Sequence, residues 1–579
     1  MINRMLKLFR FLKPFRMMVV FVLILTFLQT MAELYLPTLM SDIVDIGVVK
    51  GDIPYIWKIG GFMLLVACGS MLASVGASYL AARSSVGFGK IVRGKIFSHV
   101  QNFSLQEFDQ LGTASLITRT TNDITQVQQV LTMMLRMMVM APMMCIGGII
   151  MALSKDVKLT LVFVVAIPVL ILAIFGVVSK GIPLFRMIQK KIDKLNLVVR
   201  EGLTGIRVVR SFNRVEHETK RFDRASLDLM ETSIKVNKIM AGLFPLMMLV
   251  LNLSSVAIIW FGGIRIDHGH MQVGDLMAFL MYALQIMFSL IMLSMVLIMV
   301  PRAQASSVRI NEVFAMVPTL KDAEQLQRSN MRKGLIEFDN VTFSYPGAEK
   351  PAISNISFVA HPGKTTAIIG GTGAGKSTLL NLIPRFYDVD SGRILVDGVD
   401  VRQLSQEDLR SKIGFVPQQA LLFTGSIADN IRFGKEDAAD EEVRHAAEIA
   451  QAADFISQME DGYDSVIAQG GTNVSGGQKQ RLAIARALVR KAEINLFDDS
   501  FSALDFKTDA KLRAALKQET AQSTNIIVAQ RVSTVMDADQ IIVLDEGQIA
   551  GIGTHRELMD TCEVYREIVS SQLSEEEIA

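Results

Sequence analysis

Gly370-Gly371-Thr372-Gly373-Ala374-Gly375-Lys376-Ser377 follows a short apolar run, Thr365–Ile369, and opens onto the helix-forming Thr378-Leu379-Leu380. In a strand–loop–helix setting, the spacing G-x-x-x-x-G-K-[ST] makes a loop that holds phosphates. Glycines let backbone N–H groups close around the phosphate oxygens, and the following helix adds the positive end of its dipole. Lys376 supplies a full charge to the β- and γ-phosphates, and Ser377 offers a hydroxyl to Mg²⁺. Gly370 through Thr378 are thus candidate nucleotide contacts. Further on, the mostly apolar Ile494-Asn495-Leu496-Phe497 ends in Asp498, a carboxylate at a strand end and a second candidate for holding Mg²⁺. ATP and Mg²⁺ are the cofactors this chemistry implies.

Those residues need a platform. After about residue 330 the sequence alternates β-branched strands with amphipathic helices, which predicts an α/β domain. The first 320 residues read differently. Six apolar stretches, at about 17–40, 57–82, 130–153, 157–179, 239–264 and 274–300, are each long enough to cross a hydrocarbon core. The first follows Arg4, Lys7, Arg10, Lys13 and Arg16 and is too long for a cleavable signal, so it reads as a retained helix with a basic amphipathic lead of residues 1–16.

Charge placement sets the orientation. The 579 residues carry a formal net charge of +2, but residues 1–320 hold 32 Lys and Arg against 18 Asp and Glu, and the rest hold 27 against 39. The basic excess sits in the long segments 83–129 and 180–238, while the connections near 41–56, 154–156 and 265–273 are short and poor in positive charge. The positive-inside rule puts both termini and both long loops in the cytoplasm, and the mixed charge of those loops suits helices that extend beyond the membrane. Half the residues are apolar and three cysteines are widely spaced, which excludes a disulfide framework, a cysteine metal site and a disordered chain. The basic half is also the apolar half, so a nucleic-acid partner is not expected.

With these features together, the chain resembles a half-size ABC exporter: a polytopic α-helical membrane domain with six spans, fused to an α/β P-loop ATP-binding cassette. Val474-Ser475-Gly476-Gly477-Gln478 matches the family signature apart from Val for Leu, and Ser502-Ala503-Leu504-Asp505 matches its D-loop. Tyr345 stands where the family stacks an aromatic ring on adenine. Gln418, in Val416-Pro417-Gln418, resembles the Q-loop glutamine that touches Mg²⁺. The expected organisation is a lead helix at 1–16, membrane domain at 17–305, linker at 306–333, cassette at 334–573 and acidic tail at 574–579. The resemblance implies paired cassettes, in which Ser475, Gly476, Gly477 and Gln478 act on the ATP of a second half-transporter.

Two departures from the family bear on the attacking water and the γ-phosphate. Asp499 occupies the place of the glutamate that polarises the attacking water, and its carboxylate falls about 1–1.5 Å short, an error that can cost about 10²-fold in rate. Gln530, in Ile527-Val528-Ala529-Gln530-Arg531, occupies the switch histidine's place and cannot carry its charge. Gln469 likewise stands where exporters usually have an interface glutamate. Lys376, Ser377, Asp498 and Tyr345 keep the binding parts. This pattern resembles the degenerate subunit of a heterodimeric exporter.

By the same resemblance, the tips of the long loops, near Phe108–Ser115 and Ser211–Glu218, carry coupling helices. Asp429 and Asn430 read as helix-capping residues. Glu33 and Arg136, inside the first and third spans, are substrate-path candidates, with an internal ion pair as the alternative. Methionines, 33 in all, suit either ordinary packing or an adaptable cavity. The expected partners are membrane lipids and a small lipophilic substrate, and the expected function is export of lipophilic or amphipathic compounds. A dedicated lipid, peptide or siderophore exporter is the alternative, peptide processing being disfavoured because no cysteine-protease module precedes the lead helix. A nucleotide-sensing regulatory subunit is the other.

Overall fold

A computed structural model describes residues 7–323, 325–327 and 333–573. The acidic tail expected at 574–579 and the first six residues of the lead helix lie outside the described residues. The chain divides into two compact units: Met1–Gln101 with Thr113–Met316, and Asn102–Gly112 with Val317–Ala579.

In the first unit, six helical segments are long and apolar enough to cross a membrane: Lys7–Val48, Ile53–Gln101, Thr113–Lys155, Val157–Gly181, Val215–Asp267 and Val273–Ala315. The fourth belongs to a 48-residue helix, Val157–Thr204. At 1.5 Å per residue it is about 70 Å long, more than twice a hydrocarbon core of about 30 Å. The long basic loops are therefore mostly continuations of the spanning helices. The linker expected from residue 306 is corrected in the same way, because the last helix continues to Ala315.

Helix–helix contact in lipid gains little from the hydrophobic effect and depends on close packing and polar ties. The Ile53–Gln101 helix accordingly buries a stripe of small residues including Ser70, Ala73, Ala77, Ala81, Ser84 and Ser85, while Leu64, Leu65 and Leu72 on its other side are exposed. Polar ties close both ends of the bundle. At one end Lys155 pairs with Asp275 at 2.7 Å, and the Gly274 N–H donates to Asp45 at 2.6 Å. A Cβ on Gly274 would lie 2.5 Å from the Ser41 carbonyl oxygen, so only glycine allows this approach. At the other end the buried Asp123 accepts from Ser306 at 2.9 Å and pairs with Arg309.

The second unit contains strands β1 (Ile336–Phe343), β2 (Ile353–Ala360), β3 (Thr365–Gly370), β4 (Ser391–Val396), β5 (Val399–Asp400), β6 (Ile413–Val416), β7 (Gly425–Ser426), β8 (Val466–Ile467), β9 (Ile494–Asp498), β10 (Thr524–Val528), β11 (Gln540–Asp545) and β12 (Gln548–Gly553). A four-stranded antiparallel sheet runs β2-β1-β4-β5, and a six-stranded sheet runs β12-β11-β3-β10-β9-β6. The six-stranded sheet is parallel from β11 to β6, and β12 closes its edge antiparallel. Every residue of β9 and of β10 is buried, the pattern of parallel strands covered on both faces. Two apolar clusters provide that cover, one around Leu482, Ile484 and Phe497 and the other around Leu379, Leu496 and Ile526.

Candidate functional site

Ligands of open parallel sheets gather beyond the carboxyl ends of the strands. Here β3, β10 and β9 are neighbours, with Val528 paired both to Ile368 and to Asp498. The phosphate loop leaves β3, Gln530 follows β10 and Asp498 ends β9, so three residues far apart in sequence converge because their strands adjoin.

The Gly370–Ser377 loop leads into the helix Lys376–Leu382. Gly375 begins that helix at φ 93°, and a Cβ there would lie 2.6 Å from Ile353 and 2.8 Å from the Ala352 carbonyl oxygen. The position therefore excludes other side chains by both conformation and space. Gly371, Thr372, Gly373 and Ala374 complete the turn between β3 and the helix. The Lys376 ammonium donates to the carbonyls of Gly370 at 2.9 Å and Gly371 at 2.7 Å. Burial pushes its pKa below the ordinary lysine value, against the pull of Asp499 and Asp498.

Ser377 donates to Asp498 Oδ1 at 2.9 Å. The Asp498 carboxyl is pushed up by burial, helped by the charge of Asp499 and opposed by Ser377 and Lys376. A hydroxyl beside a carboxylate supplies the hard oxygen donors that Mg²⁺ takes. The pair fits that ion.

Asp499 stands at φ 44°, a left-handed conformation that is uncommon outside glycine, and its N–H donates to the Val528 carbonyl at 2.9 Å. Its Oδ2 accepts from Gln530 Nε2 at 2.9 Å and has a longer 3.5 Å contact with Gln418 Nε2. Burial raises the pKa of its carboxyl, with the hydrogen-bonding groups and Lys376 acting in the other direction. The two altered positions therefore meet each other directly, and the Q-loop glutamine faces the same carboxylate.

Tyr345 is half-buried. Its hydroxyl lies 3.0 Å from Thr378 Oγ1, and its ring meets Tyr387 edge-on with centroids 5.5 Å apart. Tyr387 has no motif to mark it in the sequence, yet it donates to Asp109 at 3.3 Å. Burial and the neighbouring Asp109 push its phenol up to about 12. Asp109 lies on the short helix Leu105–Leu111, which is tied to Thr319 by Glu107 and belongs to the second unit. The first loop tip is thus packed with the cassette. The second tip is a helix at Ile206–Ser211, earlier than the expected 211–218, where Val215 already begins the next long helix.

The signature residue Ser475 caps the helix Gly476–Leu488, accepting from the Gln478 N–H at 3.3 Å, while Gln478 Oε1 accepts the Ser475 N–H at 2.9 Å. A Cβ on Gly477 would come within 3.1 Å of the Ala503 carbonyl oxygen, so signature and D-loop adjoin. In the D-loop, Ser502 donates to the Asp499 carbonyl at 2.9 Å, Leu504 is buried, and Asp505 caps the next helix through the Thr508 N–H at 3.0 Å.

Asp429 forms a capping box with Ser426, but Asn430 does more than cap. Asn430 is buried, accepts from the Phe423 N–H at 2.9 Å, and donates to the Phe423 and Ser426 carbonyls. Arg486 adds bonds to the Asn430 side chain at 2.9 Å and to the carbonyls of Asn430 and Leu421 at 2.8 Å, and it lies over Phe423 and Phe433. This latch organises the chain that follows Gln418. Reading the sequence alone missed it because its partners are 56 to 65 residues apart.

In the first unit, Glu33 accepts from Gln29 at 2.9 Å, and Arg136 reaches Ser74 at 3.4 Å. Among the described residues neither enters an ion pair.

A phosphate loop on a parallel sheet, with a signature helix and six spanning helices, defines an ATP-driven membrane transporter. Residues 19–290 match the ABC transporter transmembrane region and residues 353–502 match the ABC transporter family. The chain is 44% identical over 565 residues to an uncharacterised ABC transporter ATP-binding protein of Mycobacterium tuberculosis, covering 97% of each. It is 42% identical to another such protein of Bacillus subtilis, covering 98% of each. It is 31% identical to an ATP-dependent lipid A-core flippase of Chromobacterium violaceum, covering 93% of this chain and 92% of that one. The solved structure of a bacterial Atm1-family ABC exporter with ATP bound superimposes with a TM-score of 0.80 at 26% identity, over 97% of this chain and 99% of that one. The chain belongs to the ABC transporter family and is a half-size exporter. It is a multi-pass membrane protein with a cytoplasmic cassette that couples ATP hydrolysis to transport.

Proposed function

We propose that this chain is the slow-hydrolysing half of a heterodimeric exporter of lipophilic or amphipathic compounds. The observation that carries the reading is the direct bond between Asp499 and Gln530, which replace the family's glutamate and switch histidine. A carboxylate engaged with a neutral amide offers less base strength and less reach toward a water than a glutamate beside an imidazole. The binding parts are present: Gly370 to Thr378 cradle phosphates, Tyr345 seats the adenine, and Ser377, Asp498 and Gln418 hold Mg²⁺. Mg²⁺ held there would supply positive charge against the phosphates. Gln530 and the loop amides orient the γ-phosphate, while Asp499 holds the attacking water in a suboptimal position. Ser475, Gly476, Gly477 and Gln478 complete a faster site on a different chain, and the D-loop of Ser502, Ala503, Leu504 and Asp505 spans the cassette interface. Glu33 and Arg136 border the substrate path.

The test compares phosphate release by the purified chain alone, in lipid nanodiscs, with that of the co-purified pair. Turnover by the chain alone that is at least tenfold slower supports the reading, and equal rates overturn it. The relative named as a lipid A-core flippase favours a second reading, in which the transported amphiphile is a lipid. Parallel assays in proteoliposomes with ethidium and with an NBD-labelled phospholipid separate the two substrates.

A further inference from the structure

The switch residue is held from an unexpected direction. Gln572, just beyond the C-terminal helix Glu563–Ser570, donates from Nε2 to the Gln530 carbonyl at 2.8 Å. Its Oε1 accepts from the Val532 N–H, also at 2.8 Å. One side-chain amide therefore pairs with the backbone on both sides of Arg531, as a neighbouring strand would. The base of this clamp is rigid. Tyr565 and Val569 on the same helix are fully buried, and the Tyr565 hydroxyl lies 2.8 Å from His555 Nδ1. A side chain in the turn that directly follows a packed helix carries that helix's position to whatever it bonds.

We propose that Gln572 is a positioning residue for hydrolysis. It fixes the Gln530 backbone so that the Gln530 amide reaches Asp499 on one side and the γ-phosphate on the other. This rests on the proposed switch role of Gln530. The need for such a clamp follows from the residue type: a neutral amide has no charge with which to find the phosphate, so its contribution depends on orientation. Both Gln572 side-chain bonds go to backbone groups. It acts through the 530–532 backbone, and it ties the turn after the Glu563–Ser570 helix to the loop that carries Gln530.

The experiment uses the full-length chain alone in nanodiscs, where every ATP site contains this chain's own switch loop. Phosphate release and TNP-ATP binding are measured for wild type, Gln572→Ala, Gln572→Glu, Gln530→Ala and the Gln530→Ala/Gln572→Ala double variant. Gln572→Ala is expected to lower kcat roughly 5- to 10-fold with the TNP-ATP Kd and thermal midpoint unchanged. Gln572→Glu retains the acceptor for Val532 but loses the donor to Gln530, and is expected to behave like alanine. In the Gln530→Ala background the second substitution should have no further effect, because residues acting in series are not additive. Multiplying losses, an unchanged kcat in Gln572→Ala, or a full-rate Gln572→Glu would overturn the proposal. Failure of the wild-type chain to bind TNP-ATP would instead remove the nucleotide-binding reading beneath it, and the clamp with it.

Discussion

Gln530 donates its side-chain amide to the Asp499 carboxylate at 2.9 Å, so the two residues that set this cassette apart form one hydrogen-bonded unit. Asp499 has little freedom to turn elsewhere, because its backbone is left-handed and anchored to Val528. Lengthening the carboxylate and restoring a titratable ring should therefore act together. The Asp499→Glu/Gln530→His double variant is expected to raise phosphate release by the chain alone about 10²-fold, with much smaller gains from either change singly. Single-turnover kinetics separate that gain from any change in product release.

Lys376 brings a positive charge to two buried carboxyls. Asp498 and Asp499 are both buried and both pushed toward protonation, and the lysine opposes that shift. Replacing it with alanine also removes the charge proposed to meet the nucleotide phosphates. Lys376→Ala should weaken TNP-ATP binding roughly 10- to 100-fold, the equivalent of about 1.5–3 kcal/mol. Equilibrium titration of the full-length chain checks this.

The Tyr387 phenol is raised to about 12 by burial and by Asp109, so it remains a neutral donor across the physiological range. A raised folded-state value means that its contribution to stability is complete below the unfolded tyrosine value of about 10 and is lost as pH rises toward 12. Tyr387→Phe should abolish the bond to Asp109 while keeping the edge-on contact with Tyr345. The expected result is a smaller loss of thermal stability between pH 10 and about 12 than in wild type, with one late-titrating phenol missing from the ultraviolet titration.

The phosphate loop was legible because its function is encoded in consecutive residues, and the spans because twenty apolar residues have few other uses. Asp499 and Gln530 were legible as substitutions, but their mutual bond was not. It depends on β9 and β10 being neighbours in a sheet, which sequence separation does not reveal. Tyr387, Arg486 and Gln572 share that limitation: each works through a distant backbone group or ring. The end of the last spanning helix was misplaced for a local reason. Polar residues from 306 onward resemble a linker, but Ser306 and Arg309 both bond to Asp123, and the helix continues.

Arg486 shows how much the stability of the region after Gln418 depends on one half-buried cation. Burial pushes its pKa down, yet the carbonyls of Leu421 and Asn430 and two aromatic rings surround it. Removing the side chain takes the donor from the Leu421 and Asn430 carbonyls and one of two donors from Asn430 Oδ1. Arg486→Ala is expected to destabilise the cassette by about 2–4 kcal/mol, seen as a lower thermal midpoint. Lysine should rescue little of it, having neither the fork geometry nor the planar stack over Phe423 and Phe433.

Arg136 makes a sharper prediction about cargo than about folding. Its contact to Ser74 is 3.4 Å long and carries no opposite charge, so removing the guanidinium breaks no ion pair among the described residues. An intramembrane cation that serves packing alone should tolerate a neutral isostere without changing which compounds move. If it borders the path, its field favours anionic amphiphiles and opposes cationic ones. Arg136→Gln is therefore expected to leave basal phosphate release within about 2-fold of wild type while shifting selectivity several-fold. ATP-driven ethidium uptake into inverted vesicles should rise and uptake of an anionic NBD-labelled lipid should fall. Equal changes for both probes would place Arg136 among the packing residues of the third span.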